Sequence, residues 1–230
     1  MLDLCLSSAL GRSPRILCLG AHSDDIEIGC GGTILRIVAS QAPELVWVIF
    51  SSGREREREA RASASLFLKG TKRQSVIVKD FRNGFFPYIG TEIKEFFEQL
   101  KQEFAPDLIF THCRHDLHQD HRTICELTWN TFRNHFILEY EIPKYDGDLR
   151  SPNCFVSLDR RTCRRKVEYL CRSFGTQMSK HWFTPDTFES LMRLRGLESC
   201  SPTKFAEGFY ARKIVLNPVS RRIRKPNRTK

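Results

Sequence analysis

Short apolar runs rich in β-branched and aromatic residues recur along this chain, and each is followed by a longer amphipathic segment. That alternation restricts the fold more than any other feature. The runs 15–21 (RILCLGA), 45–51 (LVWVIFS), 75–79 (SVIVK), 108–111 (LIFT) and 136–142 (FILEYEI) read as strands. Between them, 31–41, 54–68, 91–104 and 120–134 read as helices, the third with apolar spacing near 3.6 (TEIKEFFEQLKQEF). Alternating units of this size predict an α/β fold with a doubly wound, mostly parallel, Rossmann-like sheet and helices on both faces. After Pro143 the pattern loosens. A strand near Phe155, helices over 164–174 and 185–194 and a last strand over 209–216 complete one predicted domain, 13–217.

Composition enters as a set of exclusions. No apolar stretch approaches the roughly 18 residues that suggest a membrane span. The N-terminus has no basic region ahead of its apolar residues and does not read as a signal peptide. Nine cysteines are an odd number without a C-x-x-C pair, and Cys18 and Cys125 lie in apolar stretches. Reduced thiols in a cytoplasmic protein are expected. Six of the ten net positive charges sit in 220–230 (SRRIRKPNRTK), so 218–230 reads as a basic, solvated tail on a body of modest charge. Aromatic interleaving is absent there, and no nucleic-acid partner is expected.

In open α/β sheets, ligands bind beyond the carboxyl ends of the strands. Five of the seven histidines fall there: His22 after the first strand, and His112, His115, His118 and His121 after the fourth. His22-Ser23-Asp24-Asp25 leads into a glycine-rich stretch, Gly29-Cys30-Gly31-Gly32, read here as a turn. Imidazole and carboxylate are normal zinc ligands, and catalytic zinc sites use three of them plus an open position. Adjacent Asp24 and Asp25 cannot easily point the same way, so one can ligate while the other takes a proton. The glycines lack G-x-G-x-x-G order, and two aspartates would repel a pyrophosphate, which disfavours a dinucleotide site. In the second cluster histidines recur every three residues, and spacing alone does not say which bind metal. Asp120 reads either as a helix N-cap or as a hydrogen-bond partner of a site histidine.

These motifs resemble the PIG-L/LmbE-like family of zinc-dependent N-deacetylases, which includes the N-acetylglucosaminyl-phosphatidylinositol deacetylases. The family's AHPDD motif reads AHSDD at 21–25, and its H-x-D-H motif is His118-Gln119-Asp120-His121. The likeness spans about 13–217, carried in the C-terminal third by the SFGTQ and KHWF stretches. It implies Zn²⁺ held by His22, Asp25 and His121, with Asp24 as general base. His118 would stabilise the oxyanion or protonate the leaving amine, supported by Asp120, and Arg56 would lie near the substrate. Ser23 stands where the family has proline, which puts the rigidity of that turn in question. The substrate implied is an N-acetylated sugar, nucleotide sugar or glycoconjugate, and a homo-oligomer is compatible with the sequence. The competing readings are a zinc amidase on another acylated amine and a non-catalytic sugar- or nucleotide-binding domain.

Overall fold

A computed structural model of the protein describes residues 2–11 and 13–216. Strand β1 (Arg15–Gly20) is the axis of the sheet, with all residues after Arg15 buried. It pairs in parallel with β2 (Glu44–Ile49) on one side and β4 (Leu108–His112) on the other. Strand β3 (Arg73–Val78) extends the sheet beyond β2, and β5 (Phe136–Tyr140) extends it beyond β4, both in parallel. The last two strands, β6 (Cys154–Leu158) and β7 (Phe205–Ala211), make the sheet mixed. Strand β7 runs antiparallel to both β5 and β6, giving the order β3-β2-β1-β4-β5-β7-β6.

The direction in which strands are added reverses at β1, between β2 and β4. That is the switch point where crossovers leave to opposite faces and open a crevice at the carboxyl edge. Helices α2 (Asp25–Ser40), α3 (Arg54–Phe67), α6 (Arg160–Ser173) and α7 (Pro185–Glu198) share one apolar core with Trp47, Phe110 and Tyr140. Helices α4 (Gly90–Glu103) and α5 (Gln119–Thr131) build the other around Phe50, Phe97 and Ile109. A short helix α1 (Leu6–Leu10), not foreseen from the sequence, rests Leu6 and Leu10 against the first core.

Three sequence expectations need correction. Helix α2 begins at Asp25, not at 31, so the glycine-rich stretch is helix interior rather than a turn. Its glycines are required by close packing: a Cβ on Gly29 would lie 2.1 Å from the Tyr140 ring, and one on Gly32 would lie 2.5 Å from Leu158. The last strand ends at Ala211, and the apolar run Ile214-Val215-Leu216 lies exposed beyond it. Helix α6 starts four residues earlier than expected, capped by Asp159, which accepts from the Thr162 amide at 2.8 Å. The predicted tail at 218–230 lies outside the described residues. Among the described residues no helix is long and apolar enough to cross a membrane, and all nine cysteines are free.

Candidate metal centre

The loop after β1 and the first turn of α2 carry His22, Asp24 and Asp25. The loop after β4 and the first turn of α5 carry His118, Asp120 and His121. Because β1 and β4 are neighbours, the switch point brings these segments together although they are about a hundred residues apart in sequence. His22 Nδ1 lies 3.1 Å from His121 Nε2 and 3.4 Å from Asp25 Oδ2, and His121 Nε2 lies 3.6 Å from Asp25 Oδ2. A tetrahedral zinc with ligands at ~2.0–2.1 Å has ligand-to-ligand edges of roughly 3.3–3.4 Å. The three atoms are therefore spaced as a metal would need them.

Hydrogen bonds behind the rings set which nitrogens face inward. His22 Nε2 points at two acceptors, Asn83 Oδ1 at 3.0 Å and Asp120 Oδ2 at 3.4 Å. His121 Nδ1 donates to Asp116 Oδ2 at 2.8 Å. Each ring thus has its N–H at the back and a lone pair at the front, converging with a carboxylate oxygen. Three lone-pair atoms this close require positive charge among them, a proton or a metal ion.

The titration of the cluster expresses the same demand. Burial opposes a charged His22, but Asp25, Asp120 and Asp24 outweigh it and raise its pKa to about 10. Burial, reinforced by His112, lowers His121 to about 3, so that ring stays neutral. Burial works against ionised Asp25, yet His121, His112 and His22 together hold its pKa well below the usual carboxylate range.

His112 offers a second way to complete a trio, since Asp25, His112 and His121 are also mutually close, as are His22, His118 and His121. Fully buried beneath the cluster, His112 stacks on His121 with centroids 3.9 Å apart. Its Nε2 accepts the Ala21 amide at 2.9 Å, which occupies the lone pair a metal would need. His118 is the N-cap of α5, its Nδ1 accepting the Asp120 amide at 3.2 Å, and only Nε2 remains free. His115 is exposed on the loop.

Asp24 is buried beside this cluster. Its Oδ1 accepts from Arg56 at 2.7 Å, while Oδ2 has no partner. Burial raises the Asp24 pKa, and the Arg56 guanidinium opposes it. The family resemblance implies that Arg56 lies near the substrate; its observed contact is with Asp24. Asp120 is not the cap: its carboxylate accepts the Gly84 and Phe86 amides at 2.6 and 3.2 Å, tying the loop after β3 to His22. The turn that lacks proline is held instead by Ser23 Oγ to Ser52 Oγ at 2.9 Å.

Two residues of the centre, Asp116 and Asn83, were given no role from the sequence, and Lys144, which its place past the fifth strand suggested for the substrate, contacts Asp116 instead. Asp116 orients His121, Lys144 bonds the other oxygen of Asp116 at 3.0 Å, and Asn83 contacts His22. Asp116 was the most accessible of them, a carboxylate within the histidine loop itself. Burial opposes its ionisation, but the hydrogen bond to His121 and nearby positive groups hold its pKa far below the usual range.

The molecule is thus a mixed α/β domain in which two imidazoles and a carboxylate that could hold a metal ion converge at the switch point of the sheet. Residues 17–132, about half of the chain, match the family model described as GlcNAc-PI de-N-acetylase, PIG-L, and the protein belongs to that family. Every ligand candidate, Asp24, Arg56, Asp116 and His118 lie inside the matched span. No curated protein sequence matches. Among solved structures, the chain is similar to N,N'-diacetylchitobiose deacetylase from Pyrococcus horikoshii, with TM-score 0.64 and 20% identity over 89% of this chain and 86% of that one. A conserved protein from Thermus thermophilus gives TM-score 0.70 and 17% identity over 90% and 99% of the two chains. The zinc-inhibited form of a teicoplanin deacetylase gives TM-score 0.63 and 12% identity over 85% and 97%. At such identities the likeness establishes the fold.

Proposed function

We propose that the protein is a zinc-dependent N-deacetylase that hydrolyses the acetamide of an N-acetylated sugar or sugar conjugate to a free amine and acetate. One observation carries this reading: three inward lone pairs within 3.6 Å of one another, with a buried Asp24 whose Oδ2 has no partner and whose charge is felt by His22 and Asp25. Membership of a de-N-acetylase family supports it. Bound by His22, Asp25 and His121, a zinc ion would polarise an acetyl carbonyl and let water act as a nucleophile near neutral pH.

The remaining steps fall to the chain's own side chains. Arg56 fixes Oδ1 of Asp24, which leaves Oδ2 as the atom that takes the proton of the attacking water. The raised pKa of Asp24 makes it a better base than an exposed aspartate. His118, with Nδ1 engaged, presents Nε2–H as a donor. Burial lowers its pKa and favours a neutral ring, which suits a hydrogen bond to the developing oxyanion. The proton held by Asp24 is then available to the leaving amine as the C–N bond breaks.

The test is release of acetate and free amine from a panel of N-acetylated sugars, nucleotide sugars and glycolipids by the zinc-loaded protein. Turnover of at least one panel member is expected. A protein that holds about one zinc per chain and releases amine from none of them would overturn the proposal.

A further inference from the structure

Beyond β5 the chain turns back on itself. Gly147, with φ at +62°, supplies the left-handed residue of that turn, and Lys144 meets Asp148 across it. The Lys144 side chain is only 9% exposed, and its ammonium lies between two buried carboxylates. It donates to Asp116 Oδ1 at 3.0 Å and to Asp148 Oδ2, while the more exposed Asp146 stands 3.9 Å away. Among the described residues no arginine and no other lysine pairs with Asp116.

Both carboxylates are committed to the histidine loop. Asp116 Oδ2 accepts from His121 Nδ1 and Oδ1 accepts the His118 amide, each at 2.8 Å. Asp148 Oδ2 accepts the amide of Leu117, the residue between Asp116 and His118, at 2.7 Å. Arg122 donates to the carbonyls of Asp116 and Leu117 at 3.2 and 2.5 Å. Residues 116–118 are thus held at their amides and carbonyls, and the two carboxylates that do part of the holding share one cation.

Two oxygens within 3.0 Å of the same nitrogen are less than about 6 Å apart. Without the ammonium, two like charges would face one another where little water reaches them. One carboxylate would then swing away or take up a proton. Either change loosens the segment that Asp116 and Asp148 hold. We infer that Lys144 is a positioning residue: by neutralising Asp116 and Asp148 together, it sets His121 towards the metal and His118 towards the substrate. The inference rests on the roles proposed above for those two histidines.

The experiment measures zinc affinity by chelator competition, and kcat and KM at saturating zinc, in the wild type, Lys144→Met and Lys144→Met/Asp148→Asn. In Lys144→Met zinc affinity should fall about tenfold, the lower end of what a disturbed hydrogen-bond partner of a metal ligand costs. The kcat should fall by about as much and KM change less than about threefold, because a displaced His118 is missed in the transition state. Asp148→Asn keeps an acceptor for the Leu117 amide and removes one of the two charges. In the double variant both quantities should therefore return to within about threefold of the wild type. Wild-type affinity and kcat in Lys144→Met, with only Tm lowered, would mean that the lysine merely fastens the loop and would overturn the inference. So would a double variant no better than the single one. Should Lys144→Met fail to fold, the double variant is expected to fold and to bind zinc within about threefold of the wild type, and failure on either count overturns the inference. The zinc arm needs no substrate. A loss of affinity repaired by Asp148→Asn, in a protein that turns over no N-acetylated sugar, supports the role of Lys144 and overturns only the proposed reaction.

Discussion

At the scale of single residues, the centre is a set of paired roles, in which each inward atom is set by a contact on its far side. Asp116 illustrates this. By accepting from His121 Nδ1 it leaves Nε2 free to face Asp25 and His22. Replacing it by alanine removes the acceptor and frees the ring to turn. Metal affinity should fall about 10–100-fold, the usual consequence of losing such a partner. A chelator competition titration of Asp116→Ala measures this without reference to turnover, and unchanged affinity would remove Asp116 from the centre. Asp24 is the complementary case. Asp24→Asn keeps the shape and an acceptor for Arg56 but is a very poor base, so zinc content should hold while kcat falls about 10²–10⁴-fold. Elemental analysis and steady-state kinetics on one sample check both halves. Asp24 and the histidines were legible in sequence because they fall just past strands β1 and β4 and match two motifs, whereas Asp116 lies between them and belongs to neither. Asn83 was not, since nothing in its spacing says that the loop after β3 folds back onto the histidines, and Lys144, although its place past β5 marked it as a substrate contact, gave no sign of its bond to Asp116.

At the scale of elements, the legible signals were those set by local chemistry, and the illegible ones were set by packing. Strands β1, β2 and β4 stand out as apolar runs because both of their faces are buried. Gly29, Gly31 and Gly32 look like a turn because glycine is costly inside a helix. Here the helix must pass so close to Tyr140 and Leu158 that no side chain fits, a constraint that exists only once the sheet has formed. Conversely, Ile214, Val215 and Leu216 look like strand but lie past the last pairing of β7, where β5 and β6 no longer accompany it. Helix α6 began earlier than its apolar pattern because its start is set by a cap. Asp159 accepts both the amide and the hydroxyl of Thr162, and these bonds lower its pKa from 3.8. A depressed folded-state pKa means that the contribution is present above pH ~4 and is lost as pH falls through the folded value. Asp159→Ala should cost about 1 kcal/mol at pH ~7. Thermal melts of the wild type and variant should converge as pH is lowered below the usual aspartate range, and a difference independent of pH would refute the capping account.

At the scale of the whole molecule, one buried carboxylate adds to the β5–β7 pairing in fastening the antiparallel pair β6–β7 to the half that carries the histidine cluster. Glu207 on β7 accepts from the amides of Gly32 and Thr33 at 2.8 and 2.7 Å, from the Thr33 hydroxyl at 2.6 Å, and from Lys166 of α6 at 2.7 Å. Lys166 also donates to the Ile28 carbonyl at 2.6 Å. Helix α2, which presents Asp25, is thus fastened in mid-length to β7 and α6, and all the partners are buried. Removing one side of a buried ion pair is expensive, about 3–5 kcal/mol, because the other charge is stranded. The two sides are not equivalent here. Glu207→Leu strands the ammonium, two backbone amides and a hydroxyl, whereas Lys166→Met leaves Glu207 with three donors in place. Glu207→Leu should therefore be the more damaging, with a fall in Tm of roughly 6–20 °C for a domain of this size. Lys166→Met should lose less than half as much. In the double variant the stranded charge is gone but the amides of Gly32 and Thr33 remain unsatisfied, so stability should recover only in part relative to Glu207→Leu. Full recovery to the wild-type Tm would mean that the ion pair, and not the amide clamp on α2, is what Glu207 contributes. Calorimetry of the three variants decides this, and a single cooperative transition in each would show that the strand pair and the metal-bearing half unfold together.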